Sequence, residues 1–520
     1  MSDNEEFRIE HDFIGDKQVP KDAYYGVQTL RALKNFQITG YKIDRALIIG
    51  MCICKKASAR ANMEVGLLDP KIGNAICEAA QEIIDDPKYH KWFKVDPIQG
   101  GAGTSINMNT NEVIANRALE IIGEEKGRYD IISPNTHVNM AQSTNDAFPT
   151  GLHIAAMIRL DMLEATLDLL IKKFKKKADG FGDAIKMGRT HLQDAVPVRF
   201  SQEFNAYAAV LERDLDRIKQ CRHNLLGVNM GATATGTGLN ADPEYIKLVE
   251  KYLQKYSHKP IVIHKNLVDA TQNTDAYTQT SAALKICMLN LSKIANDLRL
   301  MASGPRCGLN EINLPPRQPG SSIMPGKVNP VMLEVVNQTA FQVCGNDLTI
   351  SMASEAGQFE LNVMEPVLAF NLLQSINIMT NVMRAFRKYC LDGITINVDR
   401  GREYVERSVG IITAINPHVG YETAAAIAKE AIETGKPVRE IILDKKILTK
   451  EEIDIILDPK NMTTPGISGE ELLKNRHSKD GNFDIEAQKA DMGKVQEDVN
   501  EVTLAEQLYN IEKLAGGEII

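Results

Sequence analysis

The chain has 520 residues, of which 43% are hydrophobic, so it can bury more than one core and is expected to fold as two or three domains. Its 68 acidic residues outnumber its 60 basic residues, and the net charge of -8 argues against a general nucleic-acid or anionic-membrane binder. An anionic substrate would therefore need a local positive site.

The eight cysteines form no C-x-x-C pair, which argues against zinc ligation and favours reduced, partly buried thiols in a reducing compartment. The first residues are acidic and lack the basic-then-apolar order of a signal peptide. No apolar run is long enough to cross a bilayer. These features predict a soluble cytoplasmic protein with no membrane partner.

The first polar cluster along the chain is the glycine-rich segment 100–109, which contains Thr104. Glycines allow the backbone to approach a ligand closely, and the hydroxyls and amides of this segment are hydrogen-bond donors. Taken alone, the segment is better explained as a tight turn that caps a helix.

The second cluster, residues 137–146, contains Ser143, Thr144 and Asn145. These three short donors precede Pro149 and a predicted long helix, and the start of a helix favours an anion. A helix cap would need only one of the three. The cluster therefore suggests a binding site for an anionic group.

A related polar segment, residues 188–194, contains Thr190 and His191. We expect His191 to lie near the start of another helix. Taken alone, this histidine is better explained as a structural side chain with satisfied hydrogen bonds.

Apolar residues recur at helical spacing over long stretches, which predicts a bundle because such helices are stable only when they pack side by side. The stretches are 154–174, 204–225, 284–301 and 363–383. Strand-like alternation is short, as at 260–264, so little sheet is expected. Residues 236–241 superficially match a dinucleotide fingerprint, but no apolar strand precedes them and we reject that function.

The third cluster, residues 320–330, is rich in glycine, serine and proline and contains Lys327. It is not a phosphate-binding P-loop, because Gly320 and Gly326 are one residue too far apart and Val328 stands where Ser or Thr must be. As a mere linker it would be unusually elaborate. Further on, a compositional change near 392–397 predicts a small C-terminal domain, and we expect the charged segment 476–520 to be a helical tail of unknown role.

The three clusters together hold hydroxyls, amides, an imidazole and an ammonium group, and they contain no obvious set of metal ligands. Such groups bind a small dianion and stabilise the oxyanion formed when a carbon beside a carboxylate loses a proton. The clusters resemble those of the aspartase/fumarase superfamily, whose hallmark loop is matched by residues 320–330. The similarity covers residues 5–475, and at 103–105, 141–147 and 355–366 it is closer to aspartases than to fumarases.

The resemblance implies a mostly α-helical fold of three domains, at 1–143, 144–397 and 398–475. It also implies a homotetramer, in which the central helices of four identical subunits form one shared bundle and each active site takes segments from three subunits. No cofactor and no metal are expected. The implied partners are a small-molecule substrate and other copies of the chain, without nucleic acid.

The resemblance further implies an anti elimination of ammonia from L-aspartate that yields fumarate. Ser321 would be the general base, and His191 and Lys327 the other catalytic residues. The expected contacts to the β-carboxylate are those of Thr104, Ser143, Thr144 and Ser322. Thr190, Lys327 and Asn329 would bind the α-carboxylate, and Asn145 and His191 would contact the amino group. Two alternatives remain open at this point, which are a class II fumarase and a structural homologue that has lost activity.

Overall fold

The computed structural model describes residues 6–474, so the predicted tail at 476–520 lies outside the described residues. The fold is mostly helical, as predicted. The α-helices are α1 Val27–Asn35, α2 Arg45–Glu64, α3 Pro70–Asp85, α4 Thr104–Ile121, α5 Thr144–Phe181, α6 Phe200–Asn224, α7 Pro243–Ser257, α8 Leu267–Gln272, α9 Asp275–Met301, α10 Val331–Glu355, α11 Glu365–Tyr389, α12 Val398–Arg407, α13 Ile412–Val419, α14 Tyr421–Thr434, α15 Val438–Asp444, α16 Lys450–Ile456 and α17 Pro459–Met462.

The strands are short and pair two by two, which agrees with the expectation of little sheet. They are β1 Phe7–Asp12, β2 Gly15–Pro20, β3 Ile185–Thr190, β4 Gln193–Arg199, β5 Gly227–Val228, β6 Val262–Ile263, β7 Ile312–Asn313 and β8 Thr395–Ile396. Within residues 6–474 they form four two-stranded sheets, of which only β5–β6 is parallel.

Helix α5 is the central element of a bundle that also contains α2, α6, α9, α10 and α11. Its apolar residues repeat every three or four positions, and most of them are buried against these neighbours. The ring of Phe174 lies 5.9 Å from that of Phe204 on α6 and 6.1 Å from that of Phe386 on α11. Burial of such side chains contributes roughly 2–3 kcal/mol each, so tertiary packing holds these long helices together.

The bundle has two distinguishable ends. At the first, which we call the cap end, α5 and α9 both begin, and the Tyr277 hydroxyl donates to the Pro149 carbonyl at 3.1 Å. At the other, the far end, Tyr207 packs on Phe174 and bonds to Asp297 near the end of α9. Helix α10 begins at this far end, where the Asn337 amide bonds to residues of α9.

Helix α1 begins at Val27, and its N-cap residue Gly26 has no side chain to cap it, so the first backbone N–H groups need partners from elsewhere. The carboxylate of Glu112, on α4, accepts from the backbone N–H of Gly26, Gln28 and Thr29 at 2.8–3.1 Å. A remote acidic residue therefore caps this helix and fixes the N-terminal segment on α4.

Within the described residues, the chain divides into two compact units. One holds residues 6–182 and Phe200–Asn397, and the other holds Asp183–Arg199 and residues 398–474. The second unit has its own apolar core, in which Met187 of β3 is grouped with side chains such as Ile415 and Ile441. The β3–β4 hairpin thus belongs to this unit, although it falls inside the range 144–397. The division into three domains stays a prediction.

Two further properties concern the whole described chain. All eight cysteines are free thiols, and burial raises the pKa of Cys54 and of Cys390 to about 12. Among residues 6–474, no helix combines the length and the apolar character needed to span a membrane.

Candidate active site

Helix α5 begins at a capping box formed by Ser143 and Asp146. The Ser143 Oγ accepts from the backbone N–H of Asn145 at 3.2 Å, and the Asp146 carboxylate accepts from the Ser143 N–H at 2.9 Å. The helix therefore starts at Thr144, earlier than Pro149 suggested. Ser143 does serve as a cap, but its hydroxyl proton is still available at a helix start that favours anions.

The start of α4 packs against this first turn of α5. Gly103 has a φ of +90°, and a Cβ there would lie 2.6 Å from the ring of Phe148, so only glycine allows this approach. The Asn107 amide donates to the Thr144 Oγ1 at 3.1 Å. The structure therefore brings Thr104, the first residue of α4, into the same region as the α5 cap.

A completely buried lysine, Lys55 of α2, lies behind this cap. Its Nζ donates to the side-chain oxygens of Asn139 and Gln142 at 2.9 Å each, and the Asn107 amide also donates to Asn139. Burial lowers the pKa of Lys55 to about 8. The side-chain amides of Asn139 and Asn107 thus connect the Lys55 ammonium group to Thr144. The positive charge of Lys55 adds to the partial positive charge at the start of α5.

Asp146 fixes a second segment to the cap, because its other carboxylate oxygen accepts from the N–H groups of Gly231 and Thr233 at 3.1 and 3.0 Å. The Asn145 amide donates to the Ala234 carbonyl at 2.7 Å, which leaves its side-chain oxygen as an acceptor. Burial raises the pKa of Asp146 to about 7.

Neither Lys55 nor Asp146 was predicted as a site residue from the sequence. A signal existed for Lys55, because it follows Met51 and Cys52 by four and three residues and so shares the core-facing side of α2. A lysine at a core position costs free energy unless its charge is paired or hydrogen-bonded, so it indicates a polar cluster inside the fold.

Thr190 and His191 lie on the β3–β4 hairpin of the second unit. His191 and Leu192 form its two-residue turn, with φ values of +56° and +59° between the paired residues Thr190 and Gln193. The expectation that His191 lies near a helix start is therefore wrong. Both turn residues are exposed and occupy the left-handed region, which non-glycine residues rarely adopt.

Ser321 begins a compact turn in the third cluster. Its Oγ accepts from the backbone N–H groups of Ile323 and Met324, at 3.2 and 3.1 Å. Two donors aimed at one hydroxyl oxygen favour its deprotonated form. The side chains of Ser322 and Lys327 are exposed on the same loop.

Hydrogen bonds across the base of this loop fix its shape. The Gly320 N–H donates to the Lys327 carbonyl at 2.7 Å, and the Asn329 amide donates to the Gly320 carbonyl at 2.8 Å. Asn329 thereby serves first as a structural support of the loop.

The Ser321 loop lies at the far end of the bundle, because Asn329 lies two residues before the first residue of α10 and Arg317 stacks on Tyr389 at the end of α11. The rise of α5 separates Thr144 at the cap end from Phe174 at the far end by about 45 Å. Within one chain, the structure therefore keeps the Ser321 loop apart from Thr104 and the α5 cap.

The matches to known families agree with this architecture. The family described as Lyase matches residues 15–345, and the family described as Fumarase C C-terminus matches residues 411–464. The chain therefore belongs to the aspartase/fumarase superfamily of lyases.

Curated relatives narrow the similarity within this superfamily. The chain is 65% identical to an aspartate ammonia-lyase of a Bacillus species, over 90% of the chain and 99% of the relative. It is 64% identical to the aspartate ammonia-lyase of Bacillus subtilis, over 91% of the chain and the whole relative. The Helicobacter pylori aspartate ammonia-lyase is 52% identical over 88% of the chain and 98% of that relative.

Solved structures share the fold. A fumarate lyase:delta crystallin from Brucella melitensis, bound to cobalt, has a TM-score of 0.86 and 45% identity over 88% of the chain and all of that structure. A class II fumarase from Schistosoma mansoni has a TM-score of 0.84 and 34% identity, with the same coverage. Within residues 6–474 of the present chain, no three His, Cys, Asp or Glu side chains lie close enough together to bind one metal ion.

Proposed function

We propose that the chain catalyses the reversible elimination of ammonia from L-aspartate, which yields fumarate. The observation that carries this proposal is the identity of 64–65% to aspartate ammonia-lyases over almost their whole length. The polar clusters supply groups for each step of the chemistry, so the reaction can proceed without a cofactor.

Ser321 is the general base in this proposal. Its alkoxide takes a proton from the carbon beside the β-carboxylate, and the electron pair moves onto that carboxylate to give an aci-carboxylate. When this pair returns, the carbon–carbon double bond forms and ammonia leaves the α-carbon. The N–H groups of Ile323 and Met324 support the alkoxide, since both already point at the Ser321 Oγ.

Hydroxyl donors would hold the aci-carboxylate while its charge develops. They are Thr104, Ser143, Thr144 and Ser322, of which the Thr104 hydroxyl would exchange its present acceptor, the Gly101 carbonyl at 2.7 Å, for the substrate. Their bonds strengthen as charge moves onto the carboxylate, so they stabilise the transition state more than the substrate. The start of α5 and the buried ammonium of Lys55 add positive potential behind them.

The rest of the substrate would be bound by the remaining predicted residues. Thr190, Lys327 and Asn329 are assigned to the α-carboxylate, with Lys327 as the positive charge. His191 and Asn145 are assigned to the amino group. The bond from the Asn145 amide to Ala234 supports this role, because the free side-chain oxygen can accept from an ammonium group.

A homotetramer is part of the proposal, because Ser321 and Thr144 lie at opposite ends of the bundle within one chain. Large apolar side chains on α10 support it, since Phe341, Leu348 and Met352 are each more than 60% exposed. Other copies would cover this face and bring a far end next to a cap end. The free cysteines agree with a cytoplasmic location.

The test is to mix purified protein with L-aspartate or with L-malate and to follow fumarate by its ultraviolet absorbance. Release from aspartate is expected, and release from malate alone would instead assign a fumarase. Ser321→Ala should lower turnover at least about 100-fold. Ser201→Ala, at the start of α6 and outside the three clusters, is the matched control. Equal activity of both variants would contradict the role of Ser321, and no activity with either substrate in wild type would indicate an inactive homologue.

A further inference from the structure

Pro149 lies inside α5 and leaves one helical carbonyl without its usual donor. In an α-helix the carbonyl of Asn145 would accept from the N–H four residues later, but proline at position 149 has none. Asn145 belongs to the first turn of α5, the turn that carries three of the proposed substrate contacts. The missing bond therefore affects the part of the helix that must be held most firmly.

The side chain of Asn229 supplies the missing donor. Its Nδ2 donates to the Asn145 carbonyl at 2.9 Å, and the residue is 1% exposed. The same Nδ2 lies 3.1 Å from the Thr271 Oγ1, which fixes the orientation of the amide. A buried amide in this position replaces the N–H of residue 149 with one from a different segment of the chain.

Asn229 is the first residue of a segment, 229–234, that we call the latch. The latch also donates the N–H groups of Gly231 and Thr233 to Asp146, and its Ala234 carbonyl accepts from the Asn145 side chain. Four hydrogen bonds thus join the latch to two consecutive residues of α5. Their number and direction fix both the helix start and the Asn145 side chain.

The backbone of the latch is itself strained. Thr233 has a φ of +55°, which is rare for a β-branched residue, and its buried Oγ1 has no hydrogen-bond partner within the described part of the chain. Such a conformation is unfavourable by itself and persists only where the surroundings impose it. A turn that only connects two elements does not require this strained backbone, so the strain indicates a further role for the latch.

We propose that Asn229 is a positioning residue, which substitutes for the amide absent at Pro149 and so aims Ser143, Thr144 and Asn145 at the substrate. The inference rests on the proposed ammonia elimination, because that reaction gives the first turn of α5 its task. An error of about 1 Å in the placement of such donors can cost about 100-fold in rate.

The test is a double-mutant cycle with Asn229→Ala and Pro149→Ala, in which kcat and KM for L-aspartate and the Tm are measured for the full-length protein. Asn229→Ala should lower kcat/KM about 10- to 100-fold in the wild-type background. In the Pro149→Ala background residue 149 regains its N–H, so the same change should cost less than about threefold.

Asn116→Ala is the matched control, since Asn116 is another buried asparagine whose amide donates to a backbone carbonyl, that of Tyr24. It should lower the Tm to the same extent with either residue at position 149. Equal losses of kcat/KM for Asn229→Ala in both backgrounds, or a lower Tm with kcat/KM unchanged, would overturn the proposal.

If Asn229→Ala alone does not fold, folding of the double variant supports the proposal, and its failure to fold overturns it. Inactive wild-type protein would instead refute the proposed reaction. The coupling between positions 149 and 229 would then still appear, or fail to appear, in the Tm.

Discussion

His153 on α5 is a histidine that burial keeps neutral. Its Nδ1 lies 2.8 Å from the Leu225 carbonyl, and its ring lies 4.8 Å from that of Tyr277. Burial lowers the pKa of His153 to about 4, against 6.5 for an exposed histidine. The unfolded chain therefore binds a proton at a higher pH than the folded protein does.

This difference predicts a loss of stability in acid. The contribution of neutral His153 is complete above pH 6.5 and is lost as the pH falls toward 4, by about 3 kcal/mol in total. His153→Gln keeps a donor but does not titrate, so its Tm should fall less than that of wild type between pH 7.5 and pH 4.5. His223→Gln, at an exposed site on α6, is the control and should behave as wild type. Parallel Tm curves for wild type and His153→Gln would contradict this assignment.

At the scale of elements, the turn of the β3–β4 hairpin is strained, and it carries His191, a proposed substrate contact. Leu192 is 71% exposed with a φ of +59°, a conformation that glycine adopts without strain. Leu192→Gly is expected to stabilise the second unit by about 1 kcal/mol. It should also lower kcat/KM, because a freer turn holds His191 less firmly.

The measurements are Tm and kcat/KM, with Leu239→Gly as the control, because Leu239 is equally exposed (73%) outside the hairpin. Leu239→Gly should raise neither quantity. A Leu192→Gly variant that is less stable and fully active would refute both expectations.

The Ser321 loop offers a comparison between its two glycines. A Cβ at Gly320 would lie 2.7 Å from the Lys327 carbonyl oxygen, whereas a Cβ at Gly326 would meet nothing within 4 Å. Gly320→Ala must therefore open the base of the loop and move Ser321, which predicts a loss of kcat of about 100-fold. Gly326→Ala adds only the strain of a φ of +85° and should lose less. Equal kcat values for the two variants would show that the base of the loop does not position Ser321.

The elements differ in how well the sequence predicts them. The long helices were predictable because their apolar residues repeat over many turns, and β6 falls inside the predicted strand-like stretch 260–264. The β3–β4 hairpin was not predicted, since its turn residues His191 and Leu192 are not the glycine or asparagine that such turns favour. Helix α5 starts before Pro149 because the capping box and Asn229 together compensate for the proline.

Residues of the candidate site could be proposed from the sequence only where several polar residues are adjacent, as in the loop that contains Ser321. Lys55 and Asn229 were not predicted from the sequence, because each is a single residue that reaches the α5 cap from a distant segment. Such contacts depend on the tertiary packing of helices, which periodicity does not specify.

At the scale of the whole molecule, a single chain has an apolar face of its bundle exposed to solvent. On α10, Phe341, Leu348 and Met352 follow each other at spacings of seven and four residues and are 67, 63 and 64% exposed. Such spacing places them along one side of the helix, as in a seam between packed helices. An apolar stripe of this length in water favours association with another copy.

The proposed assembly predicts that activity depends on this stripe, although it lies away from each polar cluster in sequence. Leu348→Glu puts a charge into the seam, which costs several kcal/mol if the seam is buried between subunits. The variant should sediment as smaller species than wild type, and its specific activity should rise with protein concentration as tetramers re-form. Ile432→Glu, which changes an equally exposed side chain on α14 of the second unit, should leave assembly and activity unchanged. A Leu348→Glu protein that remains tetrameric and fully active at every concentration would exclude this face from the interface. An active wild-type monomer would contradict the proposed assembly itself. One chain would then have to bring Ser321 to the α5 cap across about 45 Å of its own bundle.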